Sequence, residues 1–537
     1  MADPSPVVGL PNEEYVEIKN RSGKDINLQG WRLVTTTSSS ASFTAYILHA
    51  DSLLVITSIS SSSSLARYGK VLGVASFPSL PNNGTTLSLH NKDTVIHSLG
   101  YSNKWYKDLK KDDGGWSLEM IDADNPCSGE ANWKASTDSK GGTPGTKNSV
   151  EAKNEDLSAP ALINAYLQDE QTIILQFNEP LDLISPGVLS NYSISPFISF
   201  TLASRLLNSD KEVQINLNAP LISSLIYTIS VSNIKDCKGN ELVKSELKIG
   251  LPKEAAKHDL VINEILFNPK PGGVDFVELY NRSKNIIDAG KLFMRNRNTG
   301  TVPGPVHKLS AEPRYVFSGD YLLLTEDAAS LGQGYFVKNT NAVLTVTSLP
   351  SMPDDKGFIV LTDSSGTIID ELSYSDDWQF SLIADDEGVS LERIDPDEET
   401  QSQGNWHSAA TNVGYATPTY RNSQYKLKEQ INAGIEIITK IFSPDNDGID
   451  DVAIISYHLD APGYVANLKI FDVAGREVRH LVKNNLTGLK GSWTWDGLNE
   501  KGQRLPLGAY IIFTELFNLQ GKKKQFKSSV VLARRLN

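Results

Sequence analysis

The sequence has few cysteines and no long hydrophobic runs. Its 537 residues include only Cys127 and Cys237, which exclude a disulfide-dense scaffold and, because they fall in different segments, do not identify a redox compartment. No stretch approaches the ~18 consecutive apolar residues of a membrane-spanning helix. Positive charge is also in deficit, since 51 Lys and Arg face 64 Asp and Glu and leave a net charge of −13. That charge opposes attraction to phosphate backbones and anionic lipid, so we expect no nucleic-acid partner.

Local catalytic motifs are absent as well. The eight histidines are scattered and form neither an HExxH motif nor a Cys/His cluster with zinc spacing. The sequence contains no nucleophile elbow, phosphate-binding loop or dinucleotide-binding fingerprint. We therefore predict no catalytic residues and no enzymatic activity within this chain.

Long helical periodicity is missing, and short runs of alternating polar and apolar residues take its place. Turn dipeptides such as Ser365-Gly366 and Asp496-Gly497 separate these runs, a pattern that is typical of β-sandwiches in series. We expect short helices only near residues 64–68 and 327–331. The clearest predicted strands are at 15–18, 52–56, 172–175, 321–324 and 510–513.

An internal repeat sets the domain organisation. Residues 1–150 recur, diverged, as residues 266–424, so the chain contains two copies of one module. A different module lies between the copies, another follows them, and charged linkers join them at 151–156, 253–257 and 426–430. We therefore predict an all-β protein of four β-sandwich domains, which we call module 1 (1–150), module 2 (157–253), module 3 (260–424) and module 4 (433–537). A constant offset of 273 pairs Gly84 with Gly357, Tyr101 with Tyr374, Trp105 with Trp378, Ser117-Leu118-Glu119 with Ser390-Leu391-Glu392, Asp122 with Asp395, and Asn132-Trp133 with Asn405-Trp406.

The repeated module carries a set of recurring motifs. Module 3 has VINEILFNPKPGGVDFVELYNRS (261–283), SLERIDPD (390–397) and Asn405-Trp406, and module 1 has EEYVEIKNRSGKDINLQGWRL, SLEMIDADNPCSGEANW and GGTPG. These motifs closely resemble the lamin tail domain family, an immunoglobulin-like (Ig-like) β-sandwich. The resemblance implies an interaction module without a catalytic centre, as in nuclear lamins and in bacterial secreted and surface proteins.

Module 1 lacks the first strand of its copy. Module 3 begins with the predicted strand 261–265, whose counterpart would lie before Met1, and Met1 takes the place of Leu266. A sandwich without this strand exposes an unpaired edge. We expect the natural chain to carry the strand and a signal peptide upstream, since MADPSPVVGL is not itself a secretory signal. The alternative is that a partner donates the strand.

Module 2 contains SAPALINAYLQDEQTIILQFNEPLD and YTISVSNIKDCKGNEL. These segments resemble the bacterial Ig-like domains that act as spacers in surface proteins. The residues Asp236, Gly239 and Asn240 suggest either a cation site or a turn built on local hydrogen bonds, and the turn is the simpler explanation.

Module 4 combines FSPDNDGIDDVAIISYHL (442–459), LKIFDVAGREVRHL (468–481) and GSWTWDGLNEKGQRLPLGAYIIF (491–513). It strongly resembles the Ig-like carboxy-terminal domain of proteins exported by the type IX secretion system, and the Ig-like module of flagellar hook-capping proteins. The resemblance implies that the secretion translocon, or components of the outer membrane or cell surface, are partners. The final segment KKKQFKSSVVLARRLN is interpreted either as a docking segment or as an edge strand kept soluble by lysine.

The best metal candidate is the acidic loop of module 4. It places four carboxylates and one amide oxygen around a glycine, and Ca²⁺ prefers such oxygen ligands. The spacing is not that of an EF-hand. Calcium binding and a solvated, capped turn both remain open for the candidate ligands Asp445, Asn446, Asp447, Asp450 and Asp451.

Two further groups of residues have a structural interpretation. Glu17 and Glu278 invite a paired-carboxylate hydrolytic role, but they lie in different modules, so we expect each to accept backbone or Arg hydrogen bonds. Tryptophans could form a carbohydrate-stacking platform. Some of the tryptophans recur at the constant offset, and the others are replaced by an aliphatic residue in the other copy. Both observations favour a core position for Trp31, Trp105, Trp116, Trp133, Trp378 and Trp406.

Together these features predict a non-enzymatic extracellular or cell-surface protein. Modules 1 to 3 bind or space, with a protein or glycan ligand that the sequence does not name, and module 4 serves export and anchoring. The alternative is the accessory part of a larger secreted hydrolase whose catalytic domain lies upstream of Met1. No cofactor is expected other than the candidate calcium ion.

Overall fold

The computed structural model describes residues 1–126, 128–206, 209–223, 225–297, 305–426 and 432–534. Its strands confirm the all-β class, and the chain divides into two compact units, Met1–Leu251 and Pro252–Asn537. Each unit contains two sets of sheets, while the boundaries of four separate domains remain a prediction. The linker residues 427–430 lie outside the described part. Within that part, no helix is both long and apolar enough to cross a membrane.

The helices are short and lie between strands. The predicted helix near 64–68 begins earlier, as α1, and the one near 327 is α3, which Asp327 caps by accepting the backbone N–H of Ala329 and Ser330. The α-helices are α1 (Ser62–Leu65), α2 (Leu109–Asp112) and α3 (Ala328–Gly334). Single 3₁₀ turns lie at Asn103–Tyr106, Gly129–Asn132, Ser185–Gly187, Leu189–Asn191, Ala289–Lys291, Thr340–Ala342, Asp376–Trp378, Gln403–Asn405 and Thr411–Val413.

Module 1 consists of small sheets around one core. Its strands are β1 (Val16–Lys19), β2 (Ile26–Asn27), β3 (Trp31–Thr35), β4 (Ile47–Leu48), β5 (Leu53–Ser58), β6 (Val71–Val74), β7 (Gly84–Asn91), β8 (Thr94–Ser102), β9 (Leu118–Met120) and β10 (Trp133–Ala135). The sheets have the orders β1-β5-β6 and β3-β7-β8, with the pairs β2-β4 and β9-β10. Alternate side chains of the strands point inward, so Trp31, Leu33, Leu54 and Ile56 pack together.

Module 2 is a two-sheet sandwich. Its strands are β11 (Leu162–Asp169), β12 (Thr172–Phe177), β13 (Tyr192–Ser195), β14 (Phe200–Arg205), β15 (Glu212–Leu217), β16 (Tyr227–Val231), β17 (Ile234–Lys235), β18 (Glu241–Leu242) and β19 (Ser245–Ile249). One sheet has the order β11-β12-β15-β14, the other β13-β16-β19, and β17 pairs with β18. The strict alternation of buried residues along β16, at Tyr227, Ile229 and Val231, shows that one face of its sheet covers the core.

Module 3 has the largest sheet. Its strands are β20 (Leu260–Leu266), β21 (Phe276–Asn281), β22 (Ile287–Asp288), β23 (Leu292–Arg295), β24 (His307–Lys308), β25 (Tyr315–Val316), β26 (Tyr321–Thr325), β27 (Val343–Thr345), β28 (Lys356–Asp363), β29 (Ile368–Ser375), β30 (Leu391–Arg393) and β31 (Trp406–Ser408). The orders are β27-β26-β21-β20-β30-β31 and β24-β23-β28-β29, with the pair β22-β25. Every residue of the central strand β20 is buried.

Module 4 packs a five-stranded sheet, β33-β39-β38-β35-β36, on a three-stranded one, β32-β34-β37. Its strands are β32 (Gly434–Ile437), β33 (Ile441–Phe442), β34 (Ala453–His458), β35 (Val465–Asp472), β36 (Glu477–Leu486), β37 (Lys490–Trp495), β38 (Gly508–Phe517) and β39 (Lys523–Leu532). Trp493 and Trp495 both point into the core from β37, and Trp493 stacks on Tyr457 with ring centroids 4.3 Å apart. The two tryptophans therefore share one strand face.

The two copies of the repeated module make the same tertiary hydrogen bonds. The hydroxyl of Tyr101 donates to the Pro81 carbonyl at 3.0 Å, and that of Tyr374 donates to the Pro353 carbonyl at 2.9 Å. Both tyrosines fasten the last strand of a hairpin to the loop before its first strand. The repeat found in the sequence is thus a repeat of structure.

A second matched set closes the turn after β9 and after β30. Asn132 accepts the N–H of Asp122 and donates to its carbonyl, and Asn405 does the same with Asp395, at distances of 2.7–2.9 Å. The carboxylates of both aspartates accept the N–H two residues further on. The repeated aspartates therefore stabilise the same turn in both copies.

The cysteines bear on the cellular compartment of the protein. Cys237, in the turn after β17, is disulfide-bonded. The other cysteine of the sequence, Cys127, lies outside the described residues. Because disulfides persist mainly outside the cytosol, the conclusion that the cysteines do not identify a redox compartment was wrong.

Candidate functional site

Module 1 has a gap where module 3 has its central strand. In module 3, β20 lies between β21 and β30, whereas no strand of the described part of module 1 lies between the corresponding strands β1 and β9. Met1 exchanges two backbone hydrogen bonds with Tyr15, both of 3.2 Å. In module 3 the equivalent pair is Leu266 and Phe276. The alignment that puts Met1 in the place of Leu266 is therefore confirmed.

A cavity of about 1190 Å³ opens at this gap. Both flanking strands line it, with Val16 and Ile18 on one side and Leu118 on the other. Trp133 also lines it, and its buried Nε1 has no hydrogen-bond partner among the described residues. In module 3 the same indole nitrogen, of Trp406, donates to the Thr400 carbonyl at 2.8 Å. Well-packed interiors contain few voids larger than a water molecule, so the gap is an incomplete part of the sandwich.

Three glutamates meet in the sheet of module 3. Glu264, Glu278 and Glu392 lie on the neighbouring strands β20, β21 and β30 and are fully buried. Burial, followed by repulsion from Glu392, raises the pKa of Glu264 to about 8. Burial and then the Glu264 charge raise the pKa of Glu278 well above its ordinary value, and burial raises that of Glu392. Of these three glutamates, the sequence had suggested only Glu278 as a candidate.

These glutamates hold the carboxy-terminal segment of module 3 in place. The backbone N–H of Thr417 donates to Glu264 at 2.8 Å, that of Thr419 donates to Glu278, and that of Gln424 donates to Glu392 at 2.9 Å. Buried carboxylates that accept backbone N–H groups position a segment of chain. The three glutamates therefore have a structural role, because each holds the carboxy-terminal segment of module 3 through a backbone N–H.

Module 1 repeats this anchoring with fewer groups. Glu17 accepts the backbone N–H of Gly145, and Glu119 accepts the N–H of Ser149 at 2.8 Å and the hydroxyl of Thr143 at 2.7 Å. Burial raises the pKa of Glu17 to about 7. The prediction that the strand-end glutamates of both copies accept backbone hydrogen bonds is confirmed.

The acidic loop of module 4 brings together three of its five candidate ligands. One carboxylate oxygen from each of Asp445, Asp447 and Asp451 lies within 4.8 Å of the others. Asp451 accepts three backbone N–H groups, from Asp445 at 3.1 Å, Asn446 at 2.6 Å and Gly448 at 2.9 Å. These hydrogen bonds cap the turn, and calcium binding there remains a prediction.

The other two candidates of that loop shape its backbone. Asn446 and Asp450 have positive φ angles of 63° and 52°, a conformation that Asn and Asp tolerate better than most residues. Asp450 accepts the N–H of Ser443 through its backbone carbonyl at 2.9 Å. The Asp450 carboxylate is not part of the cluster formed by the other three aspartates.

A second acidic cluster was missed by sequence reasoning. Asp156, Glu179 and Asp236 approach one another at the junction of modules 1 and 2. The interpretation of Asp236 as a turn residue is confirmed, since its Oδ1 accepts the N–H of Lys238, Gly239 and Asn240. Its acidic neighbours are far away in the sequence, and no local motif links them.

The tryptophans follow the core interpretation in part. Trp31, Trp105 and Trp406 are buried. Trp116, Trp133 and Trp378 are half-buried. Because all six side chains are buried or half-buried, they do not form a flat, exposed surface for stacking on a sugar ring.

The last strand, β39, lies near the edge of its sheet. It pairs with β38 along its whole length, but with β33 only at Val531 and Leu532. Lys523 and Lys524 form ion pairs with Glu515 and Asp460, whereas Lys527 is exposed. The interpretation as a lysine-bearing edge strand holds only for the part of β39 before Val531, because β33 covers its end, and the docking role remains a prediction. Residues 535–537 lie outside the described part.

The fold defines a multidomain all-β protein with a repeated sandwich module and a distinct carboxy-terminal sandwich. Residues 1–103 and 253–376 match the family described as Lamin Tail Domain. Residues 436–532 match the family described as CHU_C Type IX secretion signal domain. The chain is therefore a multidomain protein with two lamin tail segments and a type IX secretion signal, which points to a secreted or cell-surface location.

No curated protein matches this chain. Solved structures similar to it include the N-terminal part of the bacterial S-layer protein SbsC, with 12% identity, a TM-score of 0.17 and coverage of 41% of this chain and 44% of that one. A DUF4876 family protein from Bacteroides thetaiotaomicron VPI-5482 has 14% identity, a TM-score of 0.18 and coverage of 38% and 82%. The chain thus spans less than half of the SbsC fragment. Similarity this low does not bear on what the chain binds.

Proposed function

We propose that this chain is a non-enzymatic protein of the cell surface or extracellular space. Module 4 directs export through the type IX secretion system and anchors the product, while modules 1 to 3 bind a ligand or space the binding parts. The observation that carries the proposal is the match of residues 436–532 to a type IX secretion signal domain. The disulfide at Cys237 supports residence outside the cytosol.

The edge of module 4 supports a role in docking. The part of β39 between Lys523 and Ser529 is paired on one side only among the described residues, and an exposed strand edge recruits another strand. Exposed Lys527 adds a positive charge to this edge, which suits an acidic surface on the translocon or on another outer-membrane component.

The absence of catalysis is proposed on chemical grounds. The strongest acid cluster of the repeated modules, formed by Glu264, Glu278 and Glu392, is fully buried and hydrogen-bonded to the backbone. A general acid or base must reach the proton that it transfers. Buried groups that hold a segment of chain do not meet that requirement.

A fusion experiment tests the proposal. Residues 433–537 are attached to the carboxyl end of a periplasmic reporter in a bacterium that has a type IX secretion system, and module 2 is attached to the same reporter as a control. We expect the module 4 fusion on the cell surface or in the medium and the module 2 fusion in the periplasm. Retention of both fusions in the periplasm would contradict the export role.

A further inference from the structure

The junction of modules 1 and 2 contains three acids from distant parts of the sequence. Asp156 lies in the segment that joins the modules, Glu179 follows β12 and Asp236 follows β17. One carboxylate oxygen of each lies within 4.8 Å of the others. Asp236 is fully buried, and Glu179 is 9% exposed. Three negative charges at this separation repel one another, and the repulsion is screened least at Asp236, which is fully buried.

Glu179 has no partner in this cluster. It accepts no hydrogen bond and forms no ion pair with any residue that the structure describes, although it is nine-tenths buried. Burial, followed by the charges of Asp156 and Asp236, raises its pKa to about 7. Buried carboxylates are normally paired, hydrogen-bonded or bound to a metal.

The other two acids are held in place, and each keeps free acceptor capacity. Asp236 Oδ2 accepts one hydrogen bond, from Asn240 Nδ2 at 2.7 Å. Asp156 Oδ1 accepts the N–H of Ser158 at 3.1 Å, and its Oδ2 accepts the hydroxyl of Ser128 at 2.8 Å. A carboxylate oxygen has two lone pairs, so these oxygens can also bind a cation.

The neighbouring lysines do not neutralise the cluster. Lys211 Nζ donates to the Asn178 carbonyl at 3.0 Å, and Lys238 Nζ donates to the Asp124 carbonyl at 2.7 Å. Neither forms an ion pair with the three acids in the part of the chain that is described. The charge of Lys211 offsets the raised pKa of Glu179 only in part.

We propose that Asp156, Glu179 and Asp236 bind a calcium ion that fixes the junction between modules 1 and 2. All three ligands are carboxylates, without nitrogen or sulfur, and such a set favours a hard divalent cation. Calcium accepts the irregular geometry of ligands from three separate segments, whereas magnesium requires a near-ideal octahedron.

The ion joins the two modules because its ligands and their partners come from both. Asp156 belongs to the linker and is bonded to Ser128 of module 1, while Glu179 and Asp236 belong to module 2. Asn240 Nδ2 donates to the Asp156 carbonyl at 3.1 Å. A bound calcium ion therefore holds the linker against module 2, next to the turn that contains Cys237.

Calcium titration of the full chain tests this site. The protein is stripped with EGTA, and Ca²⁺ binding is measured by calorimetry in a background in which Asp445→Asn and Asp447→Asn disable the loop of module 4. We expect one bound Ca²⁺ per chain, and Glu179→Gln should weaken it by at least about tenfold. Glu170→Gln, an exposed site in the same module, serves as the matched control and should leave the affinity unchanged.

Thermal unfolding separates loss of a ligand from loss of the fold. In EGTA, Glu179→Gln should unfold at the same temperature as the parent or higher, because the substitution removes a repelling charge. With Ca²⁺ the parent should gain stability and the variant should not. Endoproteinase Lys-C cuts after lysine, and Lys153 of the linker is exposed. In the parent protein, Ca²⁺ should slow this cleavage, whereas in Glu179→Gln it should not.

The proposal fails if the background protein binds no Ca²⁺, or if Glu179→Gln binds it as the background protein does. It fails equally if Mg²⁺ protects Lys153 as well as Ca²⁺ does at the same concentration. Because the export role of module 4 is not measured here, failure of one proposal is distinguishable from failure of the other.

Discussion

Glu264 and Glu392 face each other across β20 and β30, and both contact the hydroxyl of Thr417. Thr417 Oγ1 lies 2.9 Å from Glu264 Oε2 and 2.8 Å from Glu392 Oε1. One hydroxyl has one proton to donate, so both contacts are full hydrogen bonds only if one of the two carboxyl groups is protonated and donates. Because the pKa of Glu264 is raised to about 8, we predict that Glu264 holds the proton and donates it to Thr417, while Thr417 donates to Glu392.

Protonation of Glu264 in the folded state leads us to predict that the stability of the protein depends on pH. The pKa of Glu264 rises from 4.5 to about 8 on folding, so between these values the folded state binds more protons than the unfolded state. The free energy of unfolding gains its full contribution below pH 4.5 and loses it as the pH rises toward 8. Urea unfolding of the full chain at pH 5 and pH 8 measures the loss.

Glu264→Gln is the control for this prediction. Its amide replaces the protonated carboxyl group and donates to Thr417 in the same way. The variant should therefore lose less stability than the wild type between pH 5 and pH 8. Identical losses in both proteins would show that Glu264 does not hold the proton.

A second prediction concerns the gap in module 1. Placing the sequence Val-Ile-Asn-Glu-Ile, which precedes Leu266 in module 3, directly before Met1 should fill the gap between β1 and β9. The added strand gains hydrogen bonds on both edges and covers apolar surface, so the thermal midpoint of the unit Met1–Leu251 should rise by at least ~3 °C. Differential scanning calorimetry of the extended and original chains measures it.

An extension of the same length with Asp at its three apolar positions is the control. It has the same backbone but places charges at positions whose counterparts in β20 are buried. The account of the gap would be wrong if both extensions raised the midpoint equally, or if neither changed it.

The capped turn of module 4 gives a third prediction. Asp451→Ala removes three hydrogen bonds from backbone N–H groups and should lower the stability of module 4 by about 1–2 kcal/mol in EGTA. Asp451→Asn keeps one acceptor oxygen and should lose less. Urea unfolding followed by tryptophan fluorescence measures the difference, and an unchanged midpoint for Asp451→Ala would contradict the capping role.

Thiol counting gives a fourth prediction. With Cys237 in a disulfide and two cysteines in the sequence, protein denatured without reductant should show no free thiol, and two after reduction. Titration with Ellman's reagent measures this. Two free thiols before reduction would remove the argument from cysteine for an extracellular location.

The sequence predicts the fold of this chain because each strand has its own local signal. The alternation at Tyr510 to Phe513 and the repeat that aligns Tyr101 with Tyr374 both appear in the structure as strands. Pairing by a constant offset also located the gap between β1 and β9 of module 1. A repeat helps to predict contacts between residues that are distant in the sequence, because a contact in one copy is expected at the equivalent positions of the other.

The sites were less visible because their residues are distant from one another in the sequence. The acidic loop around Asp447 is continuous in the chain and was found. The cluster of Asp156, Glu179 and Asp236 is assembled by the packing of a linker on two turns, and neither composition nor spacing records that packing. Burial of Glu264 and Glu392 likewise follows from the sheet order rather than from a motif.

Localisation of the full chain with and without module 4 tests the central claim most directly. The chain, behind a signal peptide, is expressed in a bacterium that has a type IX secretion system, and antibody against module 3 is applied to intact cells. The account predicts that the complete chain is labelled at the surface and that deletion of residues 433–537 abolishes the labelling, while deletion of module 2 does not. Equal surface labelling with and without residues 433–537 would contradict it.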